Sequence, residues 1–215
     1  MSKKTSVHLI SVFLKLPRPG KAKTRLAATI GNDAALAVYD ALVAETLKML
    51  PYKEADVAVW FDPPGAEAEI RAWLAPLLDS DASIRFFPQA RGDLGQRMNT
   101  AVSHAFEDGY ETVTLTGTDC PGLKARHFQQ GWEALSTDCR AVFGPASDGG
   151  YYLLALNEPA PYLFNGIPWS SSDTLSASLE AAKRQGVGVH LLEELRDIDT
   201  AEDLESTSWK IPSSS

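Results

Sequence analysis

Seven short runs rich in β-forming residues alternate with segments whose apolar residues recur every three or four positions. No other feature limits the fold as strongly. Residues 7–14 (VHLISVFL), 55–61 (ADVAVWF), 84–88 (IRFFP), 111–117 (ETVTLTG), 140–146 (RAVFGPA), 151–157 (YYLLALN) and 187–193 (VGVHLLE) read as strands. Helices are predicted over 33–50, 66–78, 93–108, 124–136 and 172–185, with a short closing helix in TAEDLEST (200–207). In 33–50, Leu36, Tyr39, Val43, Leu47 and Leu50 form one apolar face; Asn32 or Asp33 would cap its start and Pro51 would end it. Such alternation predicts an α/β chain with a mostly parallel sheet and helices on both faces. With 215 residues, 44% of them hydrophobic, there is enough apolar material for one substantial core. No linker or repeat divides the chain, so one domain over 1–215 is expected, with a core of about 7–205 and fraying ends in MSKKTS and KIPSSS.

In sheets of this kind, ligands sit beyond the carboxyl ends of the strands, near the point where strand order reverses. The loops after the strands carry the unusual residues. KLPRPGKAKTRL (15–26) gathers Lys15, Arg18, Lys21, Lys23 and Arg25 in a chain of net charge −8, and Pro17, Pro19 and Gly20 would hold its backbone in a defined turn. A compact cation cluster on an acidic body suits a small phosphate-bearing ligand. The acidic balance excludes general nucleic-acid binding, which needs a broad basic face. Neither a Walker A nor a Rossmann glycine pattern is present.

In LTGTDCPGL (115–123), an apolar strand ends near Asp119, placed either to hold Mg²⁺ or Mn²⁺ against phosphate oxygens or to cap the next turn. In GPASDGGYYLL (144–154), Gly149 and Gly150 would let the backbone approach a ligand, with Asp148 as a candidate second carboxylate; an ordinary hairpin turn reads equally well. RGDLGQRM (91–98) opens a helix whose free N–H groups could meet a base, ribose or anion, with Gln96 and Arg97 as candidate contacts and Asp93 as a plain N-cap. In LRDIDTAEDL (195–204), Asp199 or Thr200 would cap the last helix, and Glu202 and Asp203 suit its N-terminal dipole. The four histidines lack metal-ligand spacing; His8 and His190 fall in strands. Trp169, in IPWSSSD, falls in a loop beside these segments. No apolar stretch approaches the ~20 residues of a membrane span. Cys120 and Cys139 make a poor disulfide framework, so a reduced cytoplasmic setting is expected.

Six segments in this order, PRPGKAKTRL, GDLGQRM, GTDCPGL, GPASDGGYYLL, IPWSSS and RDIDTAEDL, resemble the bacterial glycosyltransferase-like proteins of the DUF2064 family, also called radical-SAM/selenodomain-associated transferase 1. The resemblance spans about 7–205. It implies the nucleotide-diphospho-sugar transferase (GT-A) fold, a Rossmann-like three-layer α/β/α sandwich, with more distant similarity to molybdenum-cofactor and phospholactate guanylyltransferases. It also implies that Arg18, Lys23 and Arg25 lie over nucleotide phosphates and that Asp119 holds a divalent cation. Gly20 accompanies these as a phosphate-loop residue, and Asp148 is the candidate for a second metal or acceptor contact. The chain departs from the family pattern at Gly122, where an acidic residue is common, and at Gln96, where Glu is common. The activity expected is metal-dependent transfer of a sugar from a nucleotide sugar to an unknown acceptor. The alternatives are a nucleotidyltransferase that joins an NTP to a phosphorylated small molecule, and a nucleotide-binding protein without catalysis.

Overall fold

The computed structural model describes residues 4–211. Strands β1 (His8–Lys15), β2 (Ala55–Asp62), β3 (Ile84–Pro88), β4 (Thr112–Thr116), β5 (Cys139–Pro145), β6 (Tyr151–Leu156) and β7 (Gly188–Leu191) form one sheet in the order β3-β2-β1-β4-β6-β5-β7. The β1/β2, β2/β3, β1/β4 and β5/β7 pairs are parallel. β6 runs antiparallel to both β4 and β5, because the short turn after β5 folds it straight back.

Alternation along the central strands sends side chains to two cores. Ile10, Val12 and Leu14 of β1 join Val57, Val59 and Phe61 of β2 on one face. There they meet Tyr39, Val43 and Leu47 of α2 (Asn32–Lys48), Ile70 and Leu74 of α3 (Glu67–Leu74), and Phe128 of α5 (Ala125–Ala134). On the other face Leu9, Ala58 and Trp60 meet Met98, Ala101, Val102 and Ala105 of α4 (Leu94–Glu107), and Ala181 and Ala182 of α6 (Thr174–Arg184) belong to the same core. The three-layer α/β/α arrangement predicted from the alternation is therefore present. Strands buried on both faces need near-continuous apolar runs, as in ADVAVWF.

Two local expectations change. The basic loop gives way to an unpredicted helix, α1 (Thr24–Ile30), too short to show a period in the sequence. The N-cap of α2 is Gly31, not Asn32 or Asp33; its φ of 87° makes the corner between α1 and α2, a conformation open to glycine. The closing helix, α7 (Ala201–Ser206), is capped by Thr200, whose hydroxyl accepts the Asp203 N–H at 3.2 Å. The expected fraying falls partly on 1–3 and 212–215, outside the described residues. Thr5 and Ser6 have partners at the start of β2: the Thr5 N–H donates to Asp56 at 2.9 Å and the Ser6 hydroxyl to the Glu54 carbonyl at 2.6 Å. Both cysteines are free. Among the described residues, no helix is long and apolar enough to cross a membrane.

Asp56 anchors the start of β2 under that N-terminal segment, accepting from Thr5 and, at 2.7 Å, from the Tyr110 hydroxyl. Burial alone would raise its carboxyl, but hydrogen bonds from Thr5, Tyr110 and Ser6 prevail and hold it below the usual range. A carboxyl depressed by folding adds stability above its unfolded pKa of about 3.9, and that stability disappears as pH falls through the folded value. Asp56→Asn is expected to cost about 1.5–3 kcal/mol at pH 7. It should also flatten the loss of stability between about pH 4 and pH 3 in urea unfolding. Equal pH slopes in the two proteins would contradict this assignment.

Candidate functional site

β1 leads to β2 on one side of the sheet, while β4, its other neighbour, leads away toward β5. The order reverses between β1 and β4, so a crevice opens at their carboxyl ends. The basic loop enters it from β1. Tyr39 on α2 pins the start of the loop: its hydroxyl accepts the Lys15 N–H at 2.8 Å and donates to the Lys15 carbonyl at 2.9 Å. Burial pushes the Tyr39 phenol well above its usual range, so it stays protonated as the donor. Buried Leu16 and Ala22 hold both ends of the loop against the core. Between them, the Lys21 N–H donates to the Arg18 carbonyl at 3.0 Å, with Pro19 and Gly20 (φ 70°) at the corner. Proline followed by positive-φ glycine is the requirement of a type II turn.

The turn divides the cations. Lys15, Arg18 and Lys21 line a pocket with Leu16, Asp62 and Pro63, and Arg18 pairs with Glu69 of α3 at 3.1 Å. Lys23 and Arg25 face the other way. Lys23 has left-handed backbone (φ 51°, ψ 46°), sparsely populated by residues with a Cβ, and its carbonyl accepts the Ala27 N–H to start α1. Its side chain is only 4% exposed, and its ammonium meets Asp119 Oδ1 at 2.5 Å. The same ammonium donates to the Ile198 carbonyl at 2.5 Å and stands 4.0 Å from Asp199 Oδ1. Arg25 pairs with Asp199 at 3.1 Å.

Asp119 stands just beyond β4 with a half-exposed carboxylate. Its carbonyl accepts the Ile198 N–H at 2.9 Å, so the segment after β7 crosses the end of β4. That segment also delivers Asp197, whose carboxylate accepts from Ser147 Oγ at 3.1 Å. Asp148, next to Ser147, accepts the Gly150 N–H at 2.8 Å. Negative charge is crowded here. Burial and the neighbouring Asp148 raise the Asp197 carboxyl above its usual value. Burial likewise raises the Cys120 thiol, helped by Asp119, Asp197 and Asp148 and opposed by Lys23. Cys120 is thus an inert, buried thiol.

Lys23, Arg25, Asp119 and Asp148 therefore gather at one sheet edge, joined by Asp197 and Asp199. In the sequence Asp199 is a candidate cap and Asp197 has no evident role. The signal was there in the two aspartates of RDID just after the last strand, but nothing in the chain says that this segment folds back over β4. Gly122 lies beneath it: a Cβ there would stand 3.1 Å from Leu195. Gly149 is fixed by space as well as by φ 87°, since its Cβ would come within 2.1 Å of the Ser172 carbonyl oxygen.

Gln96 and Arg97 have other partners. The Gln96 N–H donates to Asp93 at 2.8 Å while its side-chain oxygen accepts the Asp93 N–H at 3.0 Å, a reciprocal capping box. Gln satisfies that box as Glu would, so the departure from the family pattern leaves the helix start intact. Arg97 donates to the Gly92 carbonyl at 3.0 Å and to Gln89 at 3.2 Å; Gln89 in turn holds the Leu14 and Trp60 carbonyls. Trp169 packs over Gly95, where a Cβ would lie 2.5 Å from its indole nitrogen.

Among the described residues, no three His, Cys, Asp or Glu side chains are grouped to hold a metal. Asp119 with crowded carboxylates nearby fits instead a Mg²⁺-like ion completed by phosphate oxygens, the usual arrangement in phosphate-handling sites.

Residues 46–171 match the family model described as "Uncharacterized protein conserved in bacteria (DUF2064)". The chain is similar to a "putative nucleotide-diphospho-sugar transferase" from Desulfovibrio desulfuricans G20, with 35% identity and a TM-score of 0.84 over 93% of this chain and 85% of that one. It shares the fold of 4-diphosphocytidyl-2C-methyl-D-erythritolsynthase from Anaerococcus prevotii DSM 20548 (12% identity, TM-score 0.58, 93% and 94% covered). It also shares that of glucosyl-3-phosphoglycerate synthase from Mycobacterium tuberculosis in complex with Mn²⁺, UDP and glucosyl-3-phosphoglycerate (9% identity, TM-score 0.54, 92% and 74% covered). The architecture is the GT-A-like, Rossmann-like one expected. No curated protein matches the sequence.

The capping box sets a test of what Gln96 does. Asp93→Ala should cost about 1 kcal/mol in urea unfolding. Gln96→Glu should leave stability within about 0.5 kcal/mol of the parent, because both hydrogen bonds can re-form. A large loss with Gln96→Glu would contradict the capping role.

Proposed function

The chain belongs to the DUF2064 family, and on that premise we propose that it is a divalent-cation-dependent transferase that passes a sugar from a nucleotide sugar to a small acceptor. The observation that carries this reading is the buried Lys23 ammonium paired with the half-exposed Asp119 carboxylate at the reversal point of the sheet. A cation and an anion set side by side at a strand-end crevice are the two charges needed to bind a diphosphate and its counter-ion.

In this reading Lys23 and Arg25 bind the diphosphate oxygens, with the Arg18–Lys21 turn holding the loop in shape. Lys15, Arg18 and Lys21 line the pocket for the rest of the nucleotide. Asp119 and phosphate oxygens would hold the cation, which supplies charge neutralisation to the leaving diphosphate. Asp148 and Asp197, held near Asp119 by the turn after β5 and the segment after β7, would orient an acceptor hydroxyl. Such chemistry depends on positioning and fixed charge more than on covalent steps.

A second reading is nucleotidyl transfer from an NTP with pyrophosphate release. Five cations on one loop are ample for a triphosphate, and the fold likeness to the 4-diphosphocytidyl synthase supports it. Pyrophosphate release separates the two reactions, since sugar transfer produces none.

Lys23→Ala and Arg25→Ala are expected to weaken a nucleoside diphosphate about tenfold or more, the scale of a lost hydrogen bond to a charged group. The corresponding nucleoside should change by less than about threefold. Calorimetric titration measures both, and equal weakening of the two ligands would remove the phosphate role.

A further inference from the structure

Phosphate binding alone does not require a lysine as enclosed as Lys23. A phosphate-seeking lysine usually keeps a mobile, hydrated head. Here the head is buried and already engaged by a carboxylate and a backbone carbonyl, from Asp119 and Ile198. Its backbone is held in the left-handed region between buried Ala22 and buried Leu26. The ammonium is the buried member of the pair, and separating it from Asp119 would leave that charge uncompensated, so Lys23 does not give up this carboxylate unless another anion replaces it. The surroundings in turn call for a cation, since Asp148, Asp197 and Asp199 add negative charge around the same segment.

We infer that the Lys23 ammonium is a resident counter-ion, holding the place of the divalent cation on Asp119 until a diphosphate arrives. The inference rests on the transferase reading above. An ammonium at 2.5 Å from Oδ1 and a divalent cation cannot share that carboxylate oxygen without strong repulsion. A diphosphate offers Lys23 a new anionic partner. Asp119 is then free for the metal, and the metal is completed by the same diphosphate. Cation and diphosphate therefore bind with positive coupling, and linkage requires each to raise the affinity of the other by the same factor. The device keeps the site charge-balanced at every stage and disfavours metal without substrate.

The test is Mn²⁺ binding to the full chain, read from the paramagnetic resonance signal of free Mn²⁺. The parent, Lys23→Met and Asp119→Asn are compared without nucleotide and with UDP, GDP and CDP. Lys23→Gln serves as a second neutral variant that can still donate to the Ile198 carbonyl, should Lys23→Met fail to fold. Without nucleotide, the neutral variants are expected to bind Mn²⁺ at least tenfold more tightly than the parent. That gain should vanish in Lys23→Gln/Asp119→Asn, and a nucleoside diphosphate should tighten Mn²⁺ on the parent but much less on Lys23→Gln. A merely structural role for Lys23 would lower the melting temperature and leave Mn²⁺ affinity unmoved.

If the neutral variants bind Mn²⁺ no better than the parent, while the parent with diphosphate takes it up through Asp119, the counter-ion inference is overturned and the transferase reading stands. If no form shows Asp119-dependent Mn²⁺ uptake under any condition, the metal assignment itself falls, and this inference with it.

Discussion

The Lys23–Asp119 ion pair closes the carboxyl end of the sheet. Lys23 arrives from β1 through a stiff loop, Asp119 from β4, and the Ile198 carbonyl from the segment after β7. Three stretches far apart in sequence thus converge on one ammonium. A charge enclosed this far is tolerated only when paired and hydrogen-bonded. The left-handed backbone at Lys23 and the course of 195–200 across the end of β4 bring its partners to it.

The loop and the acidic body answer one another. The chain carries a net charge of −8, yet its cations near the crevice fall into two groups with separate partners. Arg18 leans on Glu69, while Lys23 and Arg25 lean on Asp119 and Asp199. Arg18, Lys23 and Arg25 are thus each held by a carboxylate that a phosphate could replace. A site prepared in this way loses little charge balance when an anionic ligand enters, and its donors are already in place.

Much of the fold is legible in the sequence because the strands are buried on both faces and the helices on one. Runs such as ADVAVWF and the spacing of Leu36, Tyr39, Val43 and Leu47 state those environments directly. The loop cations and Asp119 are legible too, because a charge after an apolar strand is out of keeping with its neighbours. Other features are hidden for physical reasons. Helix α1 has 7 residues, about two turns, and shows no period. Gln96 sits in a glycine-rich segment beside charged residues, but its hydrogen bonds are satisfied by its own helix. Asp197 and Asp199 gain their place from a chain crossing between β4 and the last segment, and no local pattern encodes a contact of that separation. Gly149 shows why composition misleads at such sites: it is set by the Ser172 backbone that would meet its Cβ, not by turn chemistry alone.

The central claim is that the Lys23–Asp119 end of the sheet is a diphosphate site that works with a divalent cation. Isothermal titration of UDP, GDP and CDP into the parent protein, with and without Mn²⁺, tests it most directly. The account predicts that one nucleoside diphosphate binds about tenfold or more tightly with Mn²⁺ than without it. It predicts that Asp119→Asn erases the difference. Binding that is indifferent to both Mn²⁺ and Asp119, or no binding by any of the three, would contradict it.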